Sequence, residues 1–570
     1  MATPSRRTFL LGALGTAIGA GLLARTRRGG MSRRAQPMTT YYVSPSGSDG
    51  ANGLTTATAW RSLGYASGRV YATGDSLLLQ GGQTHSGTLI WSTSGTALAR
   101  CAIGSYGGGV ATISCGDGIG VQLHNCGYVT LSGVAVTGSG VSAAGVTTST
   151  GTGIDIYSNL TSGAKYASVW VRACTVSGCH DGIVARTPIA SGSVVGYSDL
   201  QITTCTVHDC LVGGIYIWGS ATSSGSPWFF PTGTGTFANP YFAYNHIYNI
   251  YGDPSPSIVL IALPMWLFNS TGLVAEYNVV NDCGQAGSSS ATQGGIGGLV
   301  TFESDGAIVR YNECYHMRSN IAVDGCAFDP DGGCTNNIYE YNYSHDNDGA
   351  GYQTGTYTGS SPNTNNIFRY NVSRNDCRKV NQASFLLFGG TNTIVYNNTF
   401  YADRAIAGAA VNAALIYIAA GTCSMYNNIF QTTGSMVLVR GTGGSGAFAG
   451  NLYWPSGGTF NVAGFGSLAS WQATGQEHAG GPAVGLQADP ALLYPLLPDV
   501  PTLPVANVAT ITAFMPRPNS PVIGAGLDLF ALFGIDAGPI DFRGTPQTRS
   551  AGRDIGAVTY VPAPQQLPVG

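Results

Sequence analysis

A Tyr-Asn dipeptide recurs along this chain at a nearly regular spacing, and no other feature limits the fold more strongly. The asparagines of successive copies are separated by 33, 34, 30, 29, 26 and 30 residues. Each copy ends a short run such as residues 308–311 (Ile-Val-Arg-Tyr), and alternation of this kind is typical of a β-strand. The copies are Tyr244-Asn245, Tyr277-Asn278, Tyr311-Asn312, Tyr341-Asn342, Tyr370-Asn371, Tyr396-Asn397 and Tyr426-Asn427.

A repeat of roughly 20–50 residues indicates a solenoid or a propeller. A propeller blade needs four strands in about 40–45 residues, whereas the repeat here is shorter and varies in length. Variable length is expected of a parallel β-helix, because its short strands stack from coil to coil while the turns between them absorb insertions. Helical periodicity is nowhere sustained. The sequence therefore predicts an all-β, single-stranded solenoid of the parallel β-helix type.

Asparagine suits a fixed position in such a coil for two reasons. It tolerates the left-handed backbone region, and its amide can bond to the equivalent amide one coil away, at about 4.8 Å. We therefore expect the seven Tyr-Asn asparagines to form one line along the solenoid. Cysteines support stacking as well, since Cys174 and Cys205 are 31 residues apart, as are Cys179 and Cys210.

The charge content excludes several classes of protein. Only 9% of the residues are charged, against about 25% in ordinary domains, so coiled coils and long solvated helices are excluded. Seven of the 25 basic residues precede position 35, and the rest of the chain has 18 basic against 28 acidic residues, a net charge of −10. A nucleic-acid partner calls for a basic surface, and we expect none.

The first 35 residues resemble a twin-arginine export signal. Arg6 and Arg7 precede a weakly hydrophobic run at residues 10–23. This run is shorter than the roughly 20 residues that a membrane-spanning helix needs. We expect residues 1–35 to be a signal segment, with the protein acting in the periplasm or outside the cell and with no stable membrane span.

Both ends of the remaining chain are similar to the pectin-lyase-like superfamily. The similarity lies in residues 41–49 (Tyr-Tyr-Val-Ser-Pro-Ser-Gly-Ser-Asp), 519–526 (Asn-Ser-Pro-Val-Ile-Gly-Ala-Gly) and 554–557 (Asp-Ile-Gly-Ala). This resemblance implies a right-handed parallel β-helix over residues 41–480 and a closing segment over residues 481–570 that packs on it. It does not imply one activity, because the superfamily includes hydrolases, lyases, epimerases, esterases and adhesins.

Acidic residues are scarce and cluster in two similar segments, Phe-Glu-Ser-Asp-Gly at 302–306 and Phe-Asp-Pro-Asp-Gly at 328–332. Aligned on the phenylalanines, Glu303 falls over Asp329 and Asp305 over Asp331. Alternate residues of a strand face the same way, so we expect these four carboxylates to line one groove as candidate catalytic residues.

Paired carboxylates favour glycoside hydrolysis, with one acid of raised pKa and one ionised base. Asp329 and Asp331 are the preferred pair. Polygalacturonases of this fold use clustered aspartates, although their Asn-Thr-Asp, Gly-His-Gly and Arg-Ile-Lys motifs are missing here. One alternative is a lyase that uses Ca²⁺ and a base among Arg374, Arg378 and Lys379. A non-catalytic glycan-binding or structural protein is the other alternative, and its acids would bond within turns.

Further polar and aromatic residues are candidates for binding a polysaccharide substrate. We expect side chains from the flanking turns to edge the acid groove, and exposed aromatic rings on the long loops at 219–242 and 349–365 to stack on sugar rings. Uronate, neutral and host-surface glycans all fit this pattern. The candidates are Asp324, His345, Asp346, Asp348, Arg318, Trp228 and Tyr352.

Overall fold

Each coil of the chain adds one strand to each of three long parallel sheets. The strand Ile308–Arg310, for example, pairs in register with Val274–Glu276 before it and with Ile338–Glu340 after it. The predicted fold is confirmed: the protein is a right-handed parallel β-helix, the handedness that nearly all parallel crossovers adopt. The computed structural model describes residues 38–141, 150–160, 163–188, 195–220, 236–253, 262–285, 296–319, 324–356, 360–403, 413–434, 436–441, 443–493, 508–547 and 553–562.

The chain passes through sheet 1, sheet 2 and sheet 3 in that order. Within the described residues, sheet 1 contains Thr40–Val43, Ser76–Gln80, Cys101–Tyr106, Val129–Ser132, Val169–Arg172, Gln201–Thr203, Tyr241–Ala243, Val274–Glu276, Ile308–Arg310, Ile338–Glu340, Ile367–Arg369, Thr393–Tyr396, Thr422–Tyr426 and Ser445–Ala449. Sheet 2 contains Thr84–Ser86, Ala111–Gly116, Val134–Gly138, Thr175–Ser177, Thr206–Cys210, His246–Ile250, Val279–Cys283, Glu313–Met317, Tyr343–His345, Val372–Arg374, Thr399–Ala402, Ile429–Thr433, Leu452–Ser456 and Leu486–Gln487.

Sheet 3 includes the strand that carries Asp329 and leads into Asp331. Its described strands are Leu89–Trp91, Ile119–His124, Thr152–Tyr157, Asp181–Pro188, Gly213–Ser220, Leu263–Phe268, Gly297–Phe302, Cys326–Pro330, Tyr352–Thr354, Ala383–Phe388, Ala414–Ala420 and Val437–Gly441. A small fourth sheet contains Tyr166–Ala167, Tyr197–Ser198, Phe237–Ala238 and Ser270–Thr271. The short helices are Leu63–Ser67, Leu468–Gln472 and Leu529–Phe533, with 3-10 turns at Thr56–Thr58 and Val508–Thr510. No helix of the described chain is both long and apolar enough to cross a membrane.

A ladder of buried asparagines runs along the corner between sheets 1 and 2. The Nδ2 atom of each asparagine donates to Oδ1 of the next at 2.9–3.1 Å. Oδ1 of Asn312 also accepts the main-chain N–H of Asn278, and its Nδ2 also donates to the carbonyl of Ala275, so its amide makes four hydrogen bonds. The ladder consists of Asn245, Asn278, Asn312, Asn342, Asn371, Asn398, Asn428 and Asn451, and ends on Glu477.

Five of the seven Tyr-Asn asparagines lie in this ladder, but Asn397 and Asn427 do not. In the last two copies a second asparagine follows, and this second residue occupies the ladder position. The corner needs one residue with left-handed backbone just before the inward-facing amide. Asn397 and Asn427 fill that position with φ of 52°, whereas in the earlier copies a tyrosine does, as at Tyr311 with φ of 55°.

The prediction that the ladder asparagine itself adopts the left-handed conformation is therefore wrong, because in all seven copies the residue just before it does so. A bulky residue in that region carries backbone strain. Stacking of the tyrosine rings offsets it, because parallel aromatic contacts are favourable. The Tyr244 and Tyr277 rings lie 4.9 Å apart, and those of Tyr277 and Tyr311 lie 4.8 Å apart.

Cysteines occupy repeated interior positions, as the sequence predicts. Register pairs Val176 with Val207, which places Cys174 and Cys205 at equivalent sites of neighbouring coils. The Cys205 N–H bonds to Oδ1 of the first ladder asparagine at 3.0 Å, so the cysteines precede the ladder along the same line. All thirteen cysteines are free thiols, and only Cys115 is not fully buried.

The strand array continues slightly past the expected boundary at residue 480, since Leu486–Gln487 still pairs with Leu452–Ser456. Later residues pack apolar side chains on the outer surface of the β-helix, among them Phe514, Val522 and Phe542. Polar contacts add to this packing, as where the Ala557 N–H donates to the hydroxyl of Thr399 at 3.1 Å. The outer surface of sheet 2 is therefore partly enclosed by the end of the chain.

Replacing the central ladder residue, Asn312→Leu, should lower the free energy of unfolding by at least about 3 kcal/mol, because several buried donors and acceptors lose their partners. Urea-induced unfolding followed by circular dichroism measures the change. The matched control is Asn365→Gly in an exposed asparagine row, where water replaces the lost bond and glycine suits the φ of 59°. Equal losses in the two variants would contradict a stabilising role for the buried ladder.

Candidate functional site

Asp329 and Asp331 project together from the outer face of sheet 3. In the strand Cys326–Pro330, Phe328 points into the solenoid and stacks on Tyr352, with ring centroids 5.1 Å apart. Asp329 therefore faces outward, and Asp331 follows it at the next outward position, its N–H bonded to the Thr301 carbonyl at 2.9 Å. This part of the predicted acid patch is present.

Glu303 and Asp305 do not stack on this pair. Phe328 pairs with Leu299 rather than Phe302, because equivalent positions in these two coils are 29 residues apart while the phenylalanines are 26 apart. Asp329 consequently pairs with Val300. The predicted groove of four carboxylates is wrong, because the two similar sequence motifs occupy different positions in their coils.

Glu303 and Asp305 instead lie at the corner between sheets 3 and 1. The Glu303 N–H bonds to the Gly332 carbonyl at 2.9 Å, and its carboxyl packs so closely on Gly333 that a Cβ there would overlap it. Oδ1 of Asp305 accepts from the Thr335 hydroxyl at 2.7 Å and from Nδ2 of Asn336 at 2.8 Å. Asp305 thus ends an exposed row of hydrogen-bonded asparagine side chains, and its carboxylate is engaged in these structural contacts.

Two other side chains complete the cluster on sheet 3. Nε2 of Gln353 donates to Oδ2 of Asp329 at 2.7 Å and to Oδ1 of Asp324 at 3.3 Å. Asp324 was among the predicted residues, and Gln353 was not. It follows Tyr352 just as Asp329 follows Phe328, so the correct register would have identified it from the sequence.

Burial and mutual repulsion raise the pKa values of both aspartates. The pKa of Asp329 lies well above its ordinary value, because its carboxyl is buried and Asp331 and Asp324 lie nearby; the bond from Gln353 opposes the shift. Burial and the charge of Asp324 raise the pKa of Asp331 to about 7, although the hydrogen bond that its carboxylate accepts from the Gly332 N–H lowers the pKa. The sequence predicts one carboxyl with a raised pKa and one that stays ionised as the base, whereas both pKa values are shifted upward.

Apolar side chains form the walls of the cluster. Val300 and Phe302 lie on the side of the preceding coil and are only 2% exposed. On the other side the Phe388 ring covers Gly355, and any side chain at Gly355 would overlap it. Such walls lower the local dielectric, which strengthens every charge interaction inside.

His345 and Asp346 belong to a different cluster, on sheet 2 and the corner after it. Nε2 of His345 contacts Oε1 of Glu313 at 3.1 Å, and its Nδ1 contacts Oδ2 of Asp346 at 3.0 Å. The imidazole stacks on the rings of Tyr315 and Tyr343. Burial alone would lower the pKa of His345, but the two carboxylates outweigh it and the pKa is raised. The predicted place of these residues at the edge of the acid groove is wrong.

The basic residues near these clusters are engaged in ion pairs or hydrogen bonds. Arg374 and Arg378 contact the Asp346 carboxylate at 3.2 and 3.4 Å. At the corner between sheets 2 and 3, Arg318 contacts Oδ1 of Asp348 at 3.4 Å, and Lys379 donates to the Ser319 carbonyl. This corner adjoins the Asp324 segment through the bond from the Gly349 N–H to the Gly325 carbonyl.

The predicted sugar-binding role of Tyr352 is wrong. Tyr352 is 1% exposed, and its hydroxyl donates to the carbonyls of Asn342 and Val372 at 2.8 and 3.0 Å inside the solenoid. Its ring supports the core and is not available to a sugar. Trp228 lies outside the described residues.

The lyase alternative predicts bound Ca²⁺ at the acid cluster. Among the described residues, no group of three or more His, Cys, Asp or Glu side chains is arranged to hold a metal ion. Gln353 bridges the carboxyls of Asp324 and Asp329, and Asp331 interacts with these two groups through its charge.

Comparison with known proteins gives distant likenesses only. No family model and no curated protein matches the chain. A GH136 lacto-N-biosidase from Eubacterium ramulus shows 20% identity and a TM-score of 0.49 over 64% of this chain and 64% of that chain. The complex of XylC with xylose shows 8% identity and a TM-score of 0.46, over 92% of this chain and 98% of that chain. The pectate lyase Pel9A shows 12% identity and a TM-score of 0.37, over 92% of this chain and 97% of that chain. The chain thus spans 64% of the length of the lacto-N-biosidase, and neither the fold nor the site described above depends on these likenesses.

Proposed function

We propose that the protein is an exported glycoside hydrolase that acts on a polysaccharide, with Asp329 as general acid and Asp331 as general base. One observation carries this proposal: two outward carboxyls share a desolvated cluster in which both pKa values are raised, that of Asp331 to about 7. Raised pKa values let a carboxyl keep or accept a proton near neutral pH, as acid–base catalysis requires.

The spacing of the two residues suits inversion at the sugar carbon. Outward positions two residues apart in a strand are separated by about 6.7 Å. Inverting glycosidases place their carboxyls roughly 6.5–9.5 Å apart, which leaves room for a water molecule. In the proposed step, ionised Asp331 takes a proton from that water as its oxygen attacks the sugar carbon. Asp329 gives its proton to the departing glycosidic oxygen.

A lyase is less well supported by the described residues. Proton abstraction beside a uronate would need a free basic group next to the sugar. Arg374 and Arg378 pair with Asp346 in the sheet 2 cluster, and Lys379 bonds to a main-chain carbonyl. We therefore favour hydrolysis over elimination and over binding without turnover.

Asp329→Asn and Asp331→Asn should each lower kcat by about 10²–10⁴, because shape is kept while proton transfer is lost. The assay follows reducing ends and unsaturated products on a panel of neutral and acidic polysaccharides. Asp305→Asn is the matched control, since asparagine continues the row of Asn336 and Asn365, and it should keep full activity.

If Asp329→Asn and Asp331→Asn lose activity only because the proteins unfold, the catalytic assignment is wrong. Thermal melts of these two variants and of Asp305→Asn distinguish loss of catalysis from loss of folding. Unsaturated products that form in step with the new reducing ends would establish the lyase, because β-elimination creates both ends, whereas hydrolysis creates reducing ends without unsaturation. If the wild-type protein binds a polysaccharide that it never cleaves, the protein is a binding module.

The pH dependence of kcat should be bell-shaped. Asp331 must be ionised to act as base, so activity should rise as pH increases through about 7. Asp329 must be protonated, so activity should fall as pH rises through the pKa of Asp329, which lies well above its ordinary value. In Asp331→Asn the acidic limb near 7 should disappear from the residual activity. A profile that is already maximal in mildly acidic solution would contradict these roles.

Export by the twin-arginine route is part of the proposal. Arg6→Lys together with Arg7→Lys should leave the protein in the cytoplasm, because the arginine pair is the element read by that route. Cell fractionation and immunoblotting measure its location. Arg27→Lys with Arg28→Lys, after the apolar run, is the matched control and should be exported normally. Export of the first variant would identify a different route.

A further inference from the structure

The Gln353 side chain donates hydrogen bonds to both Asp329 and Asp324 but takes no direct part in the proposed reaction. Among the described residues it is the one side chain that hydrogen-bonds to the Asp329 carboxyl, whose Oδ1 atom has no hydrogen-bond partner. We propose that Gln353 is a positioning residue: it holds Oδ2 of Asp329 and thereby directs the transferable proton to Oδ1. This inference rests on the proposed function.

The surrounding structure fixes Gln353 in place. Its side chain belongs to a residue that is only 3% exposed. The preceding residue, Tyr352, is locked by ring stacking on Phe328 and by two hydrogen bonds from its hydroxyl. The following residue, Thr354, donates its hydroxyl to the Pro330 carbonyl at 2.9 Å. Gln353 is therefore held from both sides against the strand that carries Asp329.

The chemistry of the amide decides which carboxyl oxygen is left for the proton. An amide Nε2 only donates hydrogen bonds, so it favours electron density on Oδ2 of Asp329. A proton on the neutral acid then belongs on Oδ1. Because the same Nε2 also reaches Asp324, it holds two mutually repelling carboxyls in one arrangement. The bond also opposes the upward shift of the Asp329 pKa, so Gln353 limits how far that pKa rises.

Gln353→Met tests this role, since methionine keeps the length of the side chain and removes the donor. We expect kcat to fall about tenfold to a hundredfold with little change in KM, because a misplaced acid loses part of its effect. The alkaline limb of the pH profile should move to higher pH, since the Asp329 pKa rises further without the bond. Gln431→Met makes the same chemical change in the sheet 2 strand Ile429–Thr433 and should alter neither quantity.

Thermal unfolding gives a readout that needs no substrate. A carboxyl with a raised folded pKa contributes stability at low pH that is lost as pH rises through that pKa. Without the donor this loss extends to higher pH. The Tm deficit of Gln353→Met relative to wild type should therefore be constant in acid and grow in alkaline solution, while that of Gln431→Met should stay constant.

The outcomes separate the two proposals. Parallel Tm curves for the two methionine variants, together with an unmoved alkaline limb, would overturn the positioning role even if Asp329→Asn abolishes turnover. Full activity of Asp329→Asn would overturn the proposed hydrolase, and the Tm curves would still decide whether Gln353 controls the Asp329 carboxyl. Loss of kcat in Gln353→Met with an unshifted alkaline limb and parallel Tm curves would assign Gln353 a packing role only.

Discussion

Parallel stacking in register is the constraint on which the rest of this structure depends. Each coil places its residues directly over those of the coil before, about 4.8 Å away, so every position must tolerate a copy of its own environment. Amides meet this condition well, because asparagine both donates and accepts and can continue a chain of bonds without an unpaired group. The buried ladder uses this property and makes four hydrogen bonds at a residue such as Asn312. Glu477 ends the ladder, and burial raises its pKa to about 7.

Charged side chains can stack from coil to coil in this way only when positive and negative residues alternate. On sheet 1, register places Glu276, Arg310, Glu340 and Arg369 in one column. Arg310 contacts Glu276 at 2.7 Å, and Arg369 contacts Glu340 at 2.7 Å. Columns of one sign would repel at every coil, which is the physical reason that only 9% of the chain is charged. A local group of like charges is therefore costly in this fold.

The acid cluster on sheet 3 reduces that cost in its own way. Register sets Asp329 over Val300 and under Gln353, so that no second acid stacks directly on it. The remaining repulsion, with Asp324 and Asp331, appears as raised pKa values instead of as separated side chains. Carboxyls with raised pKa values on the outer face of a sheet are suited to acid–base chemistry. The sheet 2 cluster around His345 is different, because its carboxylates face arginines and a histidine and its charges are balanced.

The sequence by itself determined the solenoid. The spacing of the Tyr-Asn copies, the alternating runs and the paired cysteine intervals all follow from repetition along the chain, and repetition is visible in the letters. It also singled out Asp329 and Asp331, because alternate residues of one strand share a face whatever the rest of the coil does.

Only the tertiary structure decided which residues of different coils meet. Coil lengths vary, so the 26-residue spacing of Phe302 and Phe328 suggested a pairing that the 29-residue register excludes. That difference moved Glu303 and Asp305 to another corner and brought Gln353 to Asp329. The tertiary structure also places the Tyr352 side chain inside the solenoid. The face to which a strand residue points depends on where the turns of its coil lie. Local alternation is a property of the chain, whereas register is set by the packing of every coil on its neighbours.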